Sequence, residues 1–93
     1  MNFYNTIGLR GDELHNAILT ARNQEDAVLA IMSNGKLWSP SEVWKEGDRA
    51  GKRWLLTSVR RAMTTLEEEM ALEKTDTTIP GPYGKPEHCW RKS

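Results

Sequence analysis

The sequence predicts a small α+β domain, mainly helical, in which the helices come first and a β-hairpin comes last. Three observations predict it. Apolar residues recur at spacings of three and four between Leu14 and Met70, the period of helices that bury one face. The quartet Ser39-Pro40-Ser41-Glu42 is a helix start placed shortly after the stop signal Asn34-Gly35. Beyond Met70 the chain turns to two short strand-like runs around a segment rich in Pro and Gly. With 93 residues there is room for one domain and one core, held with modest margin because so short a chain leaves much surface exposed.

Met1–Gly11 shows no clear periodicity and is expected to precede the domain. Asp12 is suited to cap a short helix whose Leu14, Ile18 and Ala21 share a face. Residues 1–22 thus read as an N-terminal extension with a short helix, and 23–93 as the domain proper. Asn23 is the next cap, followed by Gln24-Glu25-Asp26 in a first turn that favours negative charge and by Val28, Ile31 and Met32 at helical spacing. Lys36-Leu37-Trp38 is a candidate lone strand. In the quartet that follows, Ser39 is the cap, Pro40 occupies the first helical position where its missing N–H is harmless, and Glu42 completes a capping box. Gly47 is expected to end this helix.

From Thr57 the periodicity is at its clearest. Val59, Ala62, Met63, Leu66 and Met70 form one stripe, while Thr57, Arg61, Thr64 and Glu68 point away from it and Arg60 and Thr65 flank it. Ala71–Thr75 then reads as a strand, Asp76–Gly84 as a long Pro/Gly loop, and Lys85–Arg91 as the returning strand. A short capped helix, a connection and a longer amphipathic helix make a helix-turn-helix, and the added hairpin makes it winged. The predicted architecture is a three-helix core plus a C-terminal β-hairpin wing, with an extra N-terminal helix.

Three strings carry a family resemblance: Trp38-Ser39-Pro40-Ser41-Glu42-Val43-Trp44, Leu56-Thr57-Ser58-Val59-Arg60-Arg61-Ala62-Met63-Thr64-Thr65-Leu66, and Leu72-Glu73-Lys74-Thr75. They resemble the winged helix-turn-helix superfamily. The segment Gly81-Pro82-Tyr83-Gly84-Lys85-Pro86-Glu87-His88-Cys89-Trp90 is similar to the G-x-Y-G-[KR]-P-E-x-x-W string that closes the wing in small, largely uncharacterised winged-helix proteins of bacteria and phages. The resemblance covers roughly residues 23–91 and implies a DNA-binding fold, its longest helix in the major groove and its wing on backbone or minor groove. Where many relatives read leucine-glycine near the end of that helix, this chain has Glu69-Met70-Ala71, without the glycine that best forms a left-handed cap.

Charge is neutral in total and uneven in distribution. Thirteen Lys and Arg balance thirteen Asp and Glu, so bulk charge does not announce a nucleic-acid binder. Yet residues 47–66 carry Arg49, Lys52, Arg53, Arg60 and Arg61 against Asp48 alone, and residues 67–79 carry five acids against Lys74. The candidate DNA contacts follow. Thr57 and Ser58 offer hydroxyls and N–H groups to phosphate, with Ser39 and Ser41 as further hydroxyls at the start of the preceding helix. Arg61 has the fork that reads guanine, Thr64 and Thr65 extend its face, and Arg60, Lys52 and Arg53 neutralise phosphates. Tyr83 and Lys85 provide the wing contact. Glu67, Glu68 and Glu69 would repel phosphate, so only the first turns of the helix are expected to approach DNA.

Other chemistries are not supported. One cysteine, Cys89, excludes an intrachain disulfide and predicts a reducing, cytoplasmic setting. His15, His88 and Cys89 are too sparse for zinc, and Cys89 is expected to be a buried, inert thiol. No phosphate-cradling glycine loop, catalytic constellation, cofactor motif, signal peptide or membrane span is present in the sequence, so neither an enzyme nor a cofactor or membrane partner is expected. Trp38, Trp44, Trp54 and Trp90 are expected in the core rather than as stacking platforms. The reading is sequence-specific binding of double-stranded DNA, as a small transcriptional regulator or replication accessory of bacterial or phage type. The alternative is a protein-interaction adaptor or inhibitor on the same fold, suggested by the neutral total, the acidic second half of the long helix and the residues before Asn23. A homodimer through the Asp12–Ala21 helix fits either.

Overall fold

A computed structural model describes residues 11–82 and 84–93. Among the described residues four α-helices precede one antiparallel hairpin: α1 (Gly11–Thr20), α2 (Gln24–Ile31), α3 (Pro40–Arg49), α4 (Leu56–Glu68), β1 (Leu72–Pro80) and β2 (Pro86–Lys92). Asp12 lies inside the first turn of α1 and not before it, and the segment Met1–Arg10 falls outside the described residues.

Side-chain caps start α2 and α3 as their sequences dictate. Asn23 accepts a hydrogen bond from the Asp26 N–H at 2.8 Å, and α2 runs into a 3-10 turn, Met32–Asn34, closed by Gly35 at φ 77°. At α3 the capping box is complete, with the Glu42 N–H on Ser39 Oγ and the Ser39 N–H on Glu42 Oε1 at 2.9 Å.

Gly47 does not end α3. The helix continues to Arg49 and closes at Gly51, whose φ is 97°, with the Gly51 N–H on the Asp48 carbonyl and the Lys52 N–H on the Gly47 carbonyl, both at 3.0 Å. Gly47 serves a different purpose: a Cβ there would overlap the ring of Trp54, which packs on the bare backbone.

One core joins all the helices to the hairpin. Ile18, Val28, Ile31, Met32, Val43, Val59, Met63, Leu66 and Leu72 are buried, and the four Trp contribute to the same cluster. Ile18 comes from α1, so the helix assigned to the extension shares the core of the rest. Met70 departs from the expected stripe. It is 82% exposed because α4 ends at Glu68 and Met70 takes a left-handed φ of 66°, turning the chain into β1.

The hairpin is longer than its sequence suggests. Asp76–Pro80 belongs to β1 and not to a loop, with Thr78, Ile79 and Pro80 paired to His88, Glu87 and Pro86. The register shifts between Lys74 and Thr78, and Thr75 fastens the irregularity: its hydroxyl donates to the Cys89 carbonyl at 2.8 Å, while its own carbonyl is 2.9 Å from His88 Nδ1. The expected strand at Trp38 reduces to one bridge, its N–H and carbonyl exchanging 2.8 Å bonds with Trp90. Among the described residues no helix is long and apolar enough to cross a membrane.

Candidate nucleic-acid interface

The two faces of α4 divide as its periodicity requires. Val59, Ala62, Met63 and Leu66 enter the core, and Thr57, Arg61, Thr64 and Glu68 are exposed. Arg60 is exposed as well, and Ser58 and Thr65 are half-buried at the edges. Lys52 and Arg53 stand on the connection into α4, around a shallow recess bounded by Gly51 and Trp54. Lys85 is exposed beside the hairpin tip and lines, with Arg60 and Glu87, a groove between α4 and the tip end of the hairpin. The structure therefore brings Arg60 and Lys85 to one groove. Tyr83 lies outside the described residues.

Two of the candidate hydroxyls are not at the surface. Ser39 is fully buried, its oxygen committed to the α3 cap, and Ser41 is 7% exposed, its hydroxyl donating to Glu87 Oε2 at 2.8 Å. Neither can meet a phosphate without dismantling the start of α3. Arg60 is also committed in part, with an Nη 3.2 Å from Glu87 Oε2. Arg61, Lys52, Arg53 and Lys85 have no ion-pair partner among the described residues.

Glu87 is the residue that sequence reasoning missed. It is 9% exposed, and its carboxylate joins β2 to the first turn of α3 and to α4. Burial works against its ionisation, but hydrogen bonds from Ser41, Arg60 and Ser39 outweigh burial and hold its pKa below the ordinary value. Its partners lie 46 and 27 residues away, so nothing local in the sequence announces the cluster; the sole hint is one acid within the basic C-terminal run. Trp90 makes the second tie, its indole N–H donating to Glu67 Oε1 at 3.1 Å and its ring facing Lys74 Nζ at 5.4 Å. One of the three acids that would repel phosphate is thereby turned toward the hairpin, leaving Glu68 and Glu69 exposed at the far end of α4.

Cys89 is 2% exposed, and burial, with Glu42 and Glu87 adding to it, pushes its thiol above its ordinary pKa, which disfavours the nucleophilic thiolate. Among the described residues no three His, Cys, Asp or Glu side chains gather as metal ligands. Comparison with protein-family models, with curated proteins and with solved structures finds no match to this chain.

Proposed function

We propose that this chain binds double-stranded DNA in a sequence-specific manner, as a winged helix-turn-helix protein of the kind that regulates transcription or assists replication. One observation carries the reading. The face of α4 that the core leaves free presents Thr57, Arg61 and Thr64, with Lys52 and Arg53 at its entrance and Lys85 across the adjoining groove. Hydroxyls and an unpaired guanidinium on an exposed helix face match the acceptors of base edges, and flanking cations match the phosphates on either side. The acidic end of α4 lies away from this entrance, so insertion by the first turns brings basic rather than acidic side chains to the duplex.

The roles divide by what each side chain is free to do. Arg61 reads a base; Lys52, Arg53 and Lys85 hold backbone; Arg60, shared with Glu87, braces the groove. The test is retention of random-sequence duplex at low and at physiological salt. Micromolar binding that falls steeply with salt is the expected result, since each phosphate contact releases counterions. Arg61→Ala should then cost about 1–3 kcal/mol and relax preference at one position, whereas Arg53→Ala should weaken all sequences alike and lower the salt slope by about 1. Absence of binding at low salt would transfer the exposed face of α4 to a protein partner, and a nuclease-insensitive pull-down would identify it.

A further inference from the structure

The hydrogen bond that His88 makes within the hairpin decides what the rest of its ring can do. Nδ1 lies 2.9 Å from the Thr75 carbonyl, and a carbonyl oxygen only accepts, so Nδ1 carries the hydrogen. On the neutral ring Nε2 is then a bare acceptor; on the protonated ring it is a second donor. His88 is exposed and borders a groove between α4 and the hairpin, nearer the hairpin base than the groove lined by Lys85. What that groove can receive changes with a single proton.

A helix flank and a strand pair form its walls. Arg60, Thr64 and Glu67, spaced by four and three residues, line it from α4. Lys74 and Trp90, opposite one another in the register, line it with His88 from the hairpin, and α3 adds only the uncharged Pro40. Among the described residues its charged borders are Arg60 and Lys74 against Glu67 and Glu87, so with a neutral imidazole the groove has no net charge. Asp76, next in the chain after Thr75, does not border it. Both carboxylates already hold donors, Glu67 the Trp90 indole and Glu87 the Ser41 hydroxyl and Arg60. Lys74 has no ion-pair partner among the described residues, and its Nζ stands over the Trp90 ring. Protonation of His88 therefore makes the groove cationic and gives it two donors, Lys74 Nζ and His88 Nε2. A helix seated in a major groove about 12 Å wide turns its exposed face to the base edges and its flanks to the phosphate walls. With Thr57 and Arg61 toward the bases, the flank of Arg60 and Thr64 faces one strand's backbone, whose phosphates are anions that only accept.

We infer that the groove between α4 and the hairpin seats one phosphodiester of the duplex backbone on Lys74 Nζ and His88 Nε2, and that the His88 ring takes up a proton as the phosphate enters. The inference deepens the duplex-binding reading and rests on it, and the two fail differently. Affinity of the full chain for random-sequence duplex is measured at about pH 6 and about pH 8, at fixed ionic strength, across the range where histidine changes charge. Uptake of a proton on binding means that affinity rises as pH falls. The wild type should bind about sixfold more tightly at the lower pH, the change that follows when the phosphate favours the charged ring about tenfold over the neutral one. His88→Gln, whose amide does not titrate, should lose that dependence. Lys74→Ala should keep it and lower the salt slope by about 1. Both positions are exposed, and thermal melting at each pH checks that the variants are folded. Calorimetry of the wild type in buffers of different ionisation enthalpy counts the same proton without any substitution. Equal wild-type affinity at the two pH values, a pH dependence that survives His88→Gln, no proton uptake by calorimetry, or an unchanged salt slope in Lys74→Ala would each overturn the inference while leaving duplex binding in place. Failure to retain any duplex at low salt at either pH would overturn both.

Discussion

The chain enters α4 and leaves it through turns at the ends of two helices, closed by the same hydrogen-bonded motif with different residues at the critical position. At the end of α3 the left-handed residue is Gly51, and the N–H groups of Gly51 and Lys52 reach back to Asp48 and Gly47. At the end of α4 it is Met70, and the N–H groups of Met70 and Ala71 reach back to Glu67 and Leu66 at 2.9 and 2.8 Å. Glycine adopts this conformation freely, whereas a residue with a Cβ does so at a cost of roughly 1–2 kcal/mol. The entrance is therefore favoured by its own residues, and the exit is held by its surroundings. Leu72 is buried immediately after the turn, the Ser93 N–H bonds the Ala71 carbonyl at 3.1 Å, and Trp90 ties the hairpin to Glu67.

The largest expected effect comes from breaking the entrance. Gly47→Ala would drive a methyl group into the Trp54 ring and displace the segment that leads into α4. Alanine's better helix propensity returns up to about 1 kcal/mol, but overpacking in a tight contact costs ~1–3 kcal/mol and here has rigid ring atoms on one side and helix backbone on the other. A net loss of about 2 kcal/mol should lower Tm by roughly 8–16 °C for a domain of this size. Thermal denaturation of a double-mutant cycle with Trp54→Ala checks the cause. In that background Gly47→Ala should become neutral or stabilising, because only the propensity gain remains.

Local signals were legible in the sequence and pairings across the fold were not. The capping box at Ser39, the cap at Asn23, the stop at Gly35 and the core face of α4 are local patterns, each complete within a few residues. Which of two glycines ends α3 is not local, since Gly47 is kept open for a ring seven residues on and only Gly51 takes a positive φ. The same holds for the site. Exposure of Thr57, Arg61 and Thr64 follows from period alone, but the removal of the Ser41 hydroxyl from the surface depends on Glu87, which reaches it across the fold. Hairpin length escaped for a related reason: Thr75 and His88 bridge the register shift with side-chain bonds, so a stretch rich in Asp, Thr and Pro that reads as loop is carried as strand.

Breaking the tie of the hairpin to the helices is the second test. Glu87→Gln keeps the shape of the side chain and removes the charge that Ser41 and Arg60 serve, at an expected loss of about 1–2 kcal/mol. Acid should act similarly. The folded state holds the Glu87 pKa below the ordinary 4.5, so ionisation favours the fold. Its contribution is complete above that value and is lost as pH falls through the lowered one. Tm measured against pH should show the wild-type advantage over Glu87→Gln shrinking below about pH 4.5 and vanishing at lower pH; no gap at any pH would mean that shape rather than charge makes the tie.

The smallest effects sharpen the comparison most, because they exchange the residues of the two turns. Gly51→Ala places a Cβ at φ 97° in open space, so its cost is conformational rather than steric, about 1 kcal/mol. Met70→Gly should do the reverse. Its side chain is 82% exposed, so little packing is lost, and release from the left-handed region at φ 66° returns roughly 1–2 kcal/mol. Against that, glycine adds freedom to the unfolded chain worth ~0.4–1 kcal/mol. The balance is a gain of about 0.5 kcal/mol, visible as a rise of a few degrees in Tm. A loss instead would show that Met70 makes contacts outweighing its strain, and the exit would then be stabilised by its own residue just as the entrance is.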